Sequence, residues 1–228
     1  MPGAGFGQQK MSQGGKRVGS VTERRSGRGR VLGLIVGAMT LRPEQVKAKE
    51  YLHAKGTRLT APQVHERVVA GFAALETFLD GVTEAEARTR ALPGEWTVHE
   101  VVDHLVETHR PSLEELRDLL AGRRPPGEAI PAGLQSSDPM ARPWSELVAE
   151  LKRLQAQVVA TLESAPDRLT DARASVVMVI NVKDADGRET PLHWIEELDW
   201  KAYAVIFRLH VLDHLGQARK VVHAARGA

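Results

Sequence analysis

The sequence predicts an all-α fold, a four-helix bundle with a long crossover and a short β-hairpin or extended segment before the last helix. Three observations carry this. Four stretches place apolar residues at helical period, a proline- and glycine-rich segment separates the second from the third, and a β-branched run precedes the fourth.

The first helix is predicted over 60–81, "TAPQVHERVVAGFAALETFLDG". Thr60 suits an N-cap, and Pro62 is tolerated in the first turn, where its missing donor would be unpaired in any case. Val64, Val68, Phe72, Leu75 and Leu79 fall on one face. The second is predicted over 96–122, where Thr97 and Glu100 stand in the T-x-x-E relation of a capping box. Pro111 is expected to kink or interrupt it, because the ring removes a backbone donor and crowds the preceding turn. Residues 122–143, "GRRPPGEAIPAGLQSSDPMARP", read as a loop long enough to cross over the bundle. The third and fourth helices are predicted over 143–166 and 200–225. Between them "SVVMVINV" at 175–182, followed by the turn-like "KDADGRE", reads as the hairpin or extended segment.

The chain has 228 residues, enough for one domain with a substantial core. Residues 1–30 hold eight glycines and seven Lys or Arg against one acid, Glu23, and read as a disordered basic tail. Subtracting its +6 from the net +2 leaves −4 for residues 31–228, so the basicity belongs to the tail. The abrupt change of composition makes Met39 a candidate start, with 1–38 as upstream sequence; a peptide beginning at Met1 in a digest of native protein would contradict that. Residues 39–59 read as a linker or short helix. "VLGLIVGAM" at 31–39 is too short for a membrane span, which needs about 20 residues. No small-residue cleavage site of the A-x-A kind follows it. "GGKR" at 14–17 lacks the glycine and the hydroxyl residue of a phosphate loop.

With no cysteine, disulfides, zinc-thiolate sites and thiol nucleophiles are excluded, and a transition-metal site must be built from His, Asp and Glu. "LHVLDHLGQ" at 209–217 sets His210 and His214 four residues apart, on the face shared by Tyr203, Ile206, Phe207, Gln217 and Val221. Side chains at i and i+4 are close enough for two imidazoles to reach one ion. The ordinary alternative is a pair of satisfied core histidines. His104, flanking the apolar stripe of Val98, Val101, Val102 and Leu105, is the best candidate for a third ligand, its alternative being a partly buried histidine that donates to Glu100, Asp103 or Glu107. His53, His65, His99, His109, His193 and His223 read as solvated or structural. Asp213, Gln217 and Glu107 are candidates to orient the ligands, and Trp96, Tyr203 and Phe207 to wall a pocket.

"PGEWTVHEVVDHLVETH" and "RLHVLDHLGQARKV" resemble the two signatures of the DinB-like (YfiT-like) superfamily of metal-dependent enzymes: a Trp, a Ser or Thr, an acid and His-Leu, then His-x-x-x-His-Leu-Gly-Gln. The resemblance covers about residues 60–226. It implies a helical bundle over that range and a divalent metal, most often nickel or zinc, on a histidine triad of His104, His210 and His214. It further implies a transferase or isomerase that uses a low-molecular-weight thiol against an electrophilic small molecule. A non-catalytic, metal-stabilised helical binding module is the alternative. The partner expected is a small-molecule substrate, with no membrane; nucleic-acid binding through the seven Lys and Arg of the tail is a third reading, disfavoured because the folded part is acidic and the tail lacks interleaved aromatics. A homodimer is among the open oligomeric states, and a cytoplasmic location is expected.

Overall fold

The computed structural model describes residues 41–183 and 186–227; the basic tail and Met39, the candidate start of the protein, lie outside the described residues. Six helices and one hairpin follow in order: α1 (Pro43–Leu52), α2 (Ala61–Leu79), α3 (Glu84–Arg88), α4 (Val98–Leu120), α5 (Trp144–Glu163), β1 (Ala174–Lys183), β2 (Glu189–Leu198) and α6 (Trp200–Gly227), with a π-helical turn over His53–Thr57 after α1. No described helix is long and apolar enough to cross a membrane.

The four long helices form a ring in which α2 packs on α6 and α5, and α4 on the same two. Three of them, α2, α4 and α6, start on a side-chain cap. The Thr60 hydroxyl accepts from the Gln63 N–H, with Pro62 in the first turn of α2. Thr97 and Glu100 close a reciprocal capping box on α4, with the Thr97 N–H donating to the Glu100 carboxylate at 2.7 Å. Asp199 accepts from the backbone N–H groups of Lys201 and Ala202 at 3.0 Å, so it caps α6. The stripe Val64, Val68, Phe72, Leu75 and Leu79 is buried throughout, as its spacing predicts. A buried Leu or Phe contributes roughly 1.5–3 kcal/mol by its removal from water, so this face alone fixes how α2 sits.

One sequence expectation needs correction. Pro111 does not interrupt α4, which is helical from Val98 to Leu120. The ring costs one backbone bond, to the Glu107 carbonyl, but Leu105, Leu113, Leu116 and Leu119 are buried on either side, and their packing outweighs that loss. The hairpin expected at "SVVMVINV" is present before the last helix, as two antiparallel strands of ten residues each with Ala174 opposite Leu198 and Lys183 opposite Glu189. The five-residue helix α3, capped by Thr83 through Glu86, was not foreseen.

The crossover determines the topology. After α4 ends, residues 121–143 run back along it: Gln135 donates to the Glu100 carbonyl, and Arg142 bonds Asp103 and Glu107. Past the C-terminus of α5, the Thr170 hydroxyl donates to the Leu119 carbonyl. α5 therefore begins beside the start of α4 and ends beside its end, so the two neighbours are parallel, which only a long connection permits. α6 runs the other way, with Tyr203 against Glu115 near the end of α4 and Gln217 against Glu95 near its start.

Candidate metal centre

The antiparallel pairing of α4 and α6 brings His104 across from His210 and His214. The ligand atoms of the three rings all lie within 4.8 Å of one another. Nε2 of His210 is 2.9 Å from Nε2 of His104 and 3.1 Å from Nε2 of His214. His104 and His214 are buried, and His210 keeps part of its surface where it faces a cavity.

Three ring nitrogens pointing at one place cannot all be joined by hydrogen bonds, because a neutral imidazole carries one N–H. The other nitrogens decide where those protons are. His104 Nδ1 lies 2.7 Å from the Leu134 carbonyl, an acceptor only, so the proton is on Nδ1 and Nε2 offers a lone pair. His214 Nδ1 lies 2.9 Å from Oε1 of Gln217, whose amide nitrogen faces Glu95 and so fixes which way the amide points. His214 Nε2 is therefore also bare. Burial drives all three rings toward neutrality: it holds His104 down to about 4 and His214 to about 3, and drives His210 well below its ordinary value, where His214, His104 and His109 add to the effect.

Neutral imidazoles with unprotonated Nε2 atoms are the state that binds a metal. Two nitrogens each about 2.0–2.1 Å from one zinc-sized ion lie roughly 2.9–3.4 Å apart for angles between about 90° and tetrahedral, and the two separations that involve His210 fall in that interval. The donor set thus fits a divalent transition metal, with Leu134 and Gln217 as the groups that orient its ligands.

Trp96 closes one side, its ring 6.1 Å from His214 in a stacked arrangement and 5.1 Å from His104. On another side lies a cavity of about 130 Å³, walled by α4, α6, the crossover at Ile130–Ala132 and strand β1. Tyr203, Phe207 and Asp213 line it. Glu107 lies elsewhere, paired with Arg110 and Arg142. Glu100 is spent on the capping box and an ion pair with Arg90.

The second signature is legible in the sequence, but four contributors to the site are not read there. The Leu134 carbonyl is a backbone atom in a loop and has no sequence signal. His109 is one of six histidines read as solvated or structural; it is buried, its Nδ1–H donates to the Leu105 carbonyl at 2.5 Å, its ring stacks 6.2 Å from that of His210, and it lines the cavity. Ser112 and Glu115 line the cavity too. A signal for them did exist: His104, Thr108, Ser112 and Glu115 recur at spacings of four, four and three, a polar stripe on one helix face. Among the other histidines, His99 is buried with Nε2 3.0 Å from the Arg142 carbonyl, and His193 is exposed on β2.

The sequence model of the DinB superfamily matches residues 67–218, which contain all three histidines. A solved structure with a similar fold is YfiT from Bacillus subtilis, described as "a probable metal-dependent hydrolase with an unusual four-helix bundle topology". It is 18% identical, with a TM-score of 0.50 over 81% of this chain and 90% of that one. No curated protein matches the chain.

Proposed function

The chain belongs to the DinB superfamily, and on that premise we propose that it is a metal-dependent transferase or isomerase in which His104, His210 and His214 hold a divalent ion beside a substrate cavity. The observation that carries this reading is the pair of fixed tautomers: Leu134 and Gln217 leave Nε2 of His104 and His214 bare and aimed at Nε2 of His210. A satisfied core cluster would need the one remaining proton, that of His210, on Nε2 between the rings, whereas a proton on Nδ1 of His210 leaves three bare nitrogens facing one point.

A bound ion would lower the pKa of a coordinated thiol or water and so supply the nucleophile that a chain without cysteine lacks. The protein's share is positional. The crossover holds His104 through Leu134, and Glu95 holds His214 through Gln217. Trp96 shields one side of the cluster, and the cavity admits a small molecule on another. An open cavity at the ligands supports a catalytic role over a metal that only stabilises the bundle. The co-substrate we favour is a low-molecular-weight thiol attacking an electrophilic carbon, with nickel or zinc as the ion.

The test is elemental analysis of the untagged protein beside its His210→Ala variant, followed by turnover assays of the loaded protein with and without added thiol. About one divalent ion per chain, lost in the variant, with turnover that requires thiol, is the expected result. Turnover without thiol would replace this reading by metal-dependent hydrolysis. A parent that takes up neither nickel nor zinc would end it.

A further inference from the structure

The end of the cavity remote from the histidines is polar in a specific way. Tyr203 lies seven residues before His210 on α6, about 10 Å along the helix axis. Its hydroxyl donates to the Glu115 carboxylate at 2.5 Å, and Ser112 lies at the same end of the cavity. All three residues line the cavity, whose remaining wall includes Val176, Met178, Ile206 and Leu209. Among the described residues that line it there is no Lys or Arg.

Glu115 is half-buried, and no cation pairs with it among the described residues, unlike Glu95, Glu107 and Glu150, which all have one. A carboxylate withdrawn from water without a counter-charge is unfavourable. Burial accordingly pushes its pKa up, although the Tyr203 hydroxyl opposes the rise. The single neutral donor leaves a place for a positive one.

We infer that Glu115 and Tyr203 form a subsite for a primary ammonium group, carried by a ligand whose apolar middle lies along the cavity and whose other end faces the histidine cluster. The inference rests on the proposed function for which end reacts, but not for the charge preference itself. The preferred substrates are then linear amines of about six carbons. Ligands with an anionic tail are disfavoured, because the subsite would set two carboxylates together with no cation between them.

The first experiment uses metal-free, full-length protein and three probes of equal length, hexylamine, hexan-1-ol and hexanoate, titrated calorimetrically at neutral pH. Hexylamine should bind about tenfold or more tightly than hexan-1-ol, as expected for one charge-assisted hydrogen bond, and hexanoate should bind most weakly. Glu115→Gln should bring hexylamine to the level of hexan-1-ol while leaving hexan-1-ol unchanged. Hexanoate binding as tightly as hexylamine, no binding of hexylamine, or an unchanged preference in Glu115→Gln would overturn the subsite. The ranking in the parent protein remains a test even if the variant fails to fold. A second titration separates this inference from the proposed function: cobalt(II)-loaded protein with 6-aminohexane-1-thiol and 6-mercaptohexanoate, followed by visible absorption. Perturbation of the cobalt spectrum, about tenfold more sensitive to the amino thiol, supports both. A silent spectrum beside a clear preference for hexylamine removes the thiol reading and leaves the subsite standing.

Discussion

Ser136 donates twice to Asp103, from its backbone N–H at 2.9 Å and from its hydroxyl at 2.8 Å, and so ties the crossover to α4 one residue before His104. Asp103 is fully buried, and Arg142 adds an ion pair at 3.1 Å. Two residues before Ser136 stands Leu134, whose carbonyl fixes the His104 tautomer. The aspartate of the first signature thus acts on the site at one remove, through the path of the loop. Asp103→Ala should lower divalent-metal affinity by about 10–100-fold, the range for loss of a group that orients a ligand. It should also destabilise the protein by roughly 2–4 kcal/mol, since Arg142 loses a buried partner and Ser136 loses its acceptor. Competition with a chromophoric chelator and a urea melt measure the two effects. An unchanged metal affinity would show that the loop holds its course without Asp103.

Gln217 makes a different prediction, because it touches His214 directly and sits in a half-exposed position. Gln217→Leu should leave the melting temperature of the metal-free protein within a few degrees of the parent. Metal affinity should nonetheless fall about tenfold or more, since His214 is free to turn its proton toward Nε2. A loss of stability equal to the loss of affinity would mean that Gln217 matters for folding and not for the ligand.

Gly56 marks the point where the π-helical turn meets α6. A Cβ there would lie 2.7 Å from Cα of Ala202 and 3.2 Å from the Lys201 carbonyl, both backbone atoms that cannot turn aside. Gly56→Ala should cost about 1–3 kcal/mol, as overpacking does. The shift would appear at the start of α6, where Thr57 also bonds the Asp199 cap at 2.6 Å. Metal binding, a helical turn or more away, should be nearly unchanged. A variant as stable as the parent would show that this junction is looser than its distances imply.

These contacts also explain what the sequence could reveal. Apolar period and caps are local, so the α2 stripe, the Thr97 box and the His210/His214 pair are legible in one pass. β2, "ETPLHWIEEL", carries a proline and three glutamates and has weak strand character of its own; it is held by its pairing with β1, where Pro191 faces Asn181 in a sheet of only two strands. Pro111 reads as a helix breaker because the buried leucines that override it lie on both sides of the ring and act through tertiary packing. The orienting partner of His104 is a carbonyl thirty residues away. No side-chain pattern encodes that.

The buried histidines predict how the metal-free protein responds to acid. His104 and His109 are held near 4 and His214 near 3, in each case chiefly by burial, while His210 is pushed well below its usual value. In the unfolded chain the same rings titrate near 6.5. Between those limits the unfolded state binds more protons than the folded state, so stability is complete above pH 6.5 and is lost as pH falls toward 4. His109 alone should account for about 3 kcal/mol over that range, and its Nε2 has no hydrogen-bond partner among the described residues to relieve the cost. With chelator present, the melting temperature should fall steadily from pH 6.5 downward. His109→Leu should flatten that slope by about one proton and leave the plateau above pH 7 intact or slightly higher, because an unsatisfied buried nitrogen is replaced by hydrocarbon. A melting temperature constant from pH 7 to 5 would mean that the rings acquire protons without opening the bundle, and that the cluster is better hydrated than its burial implies.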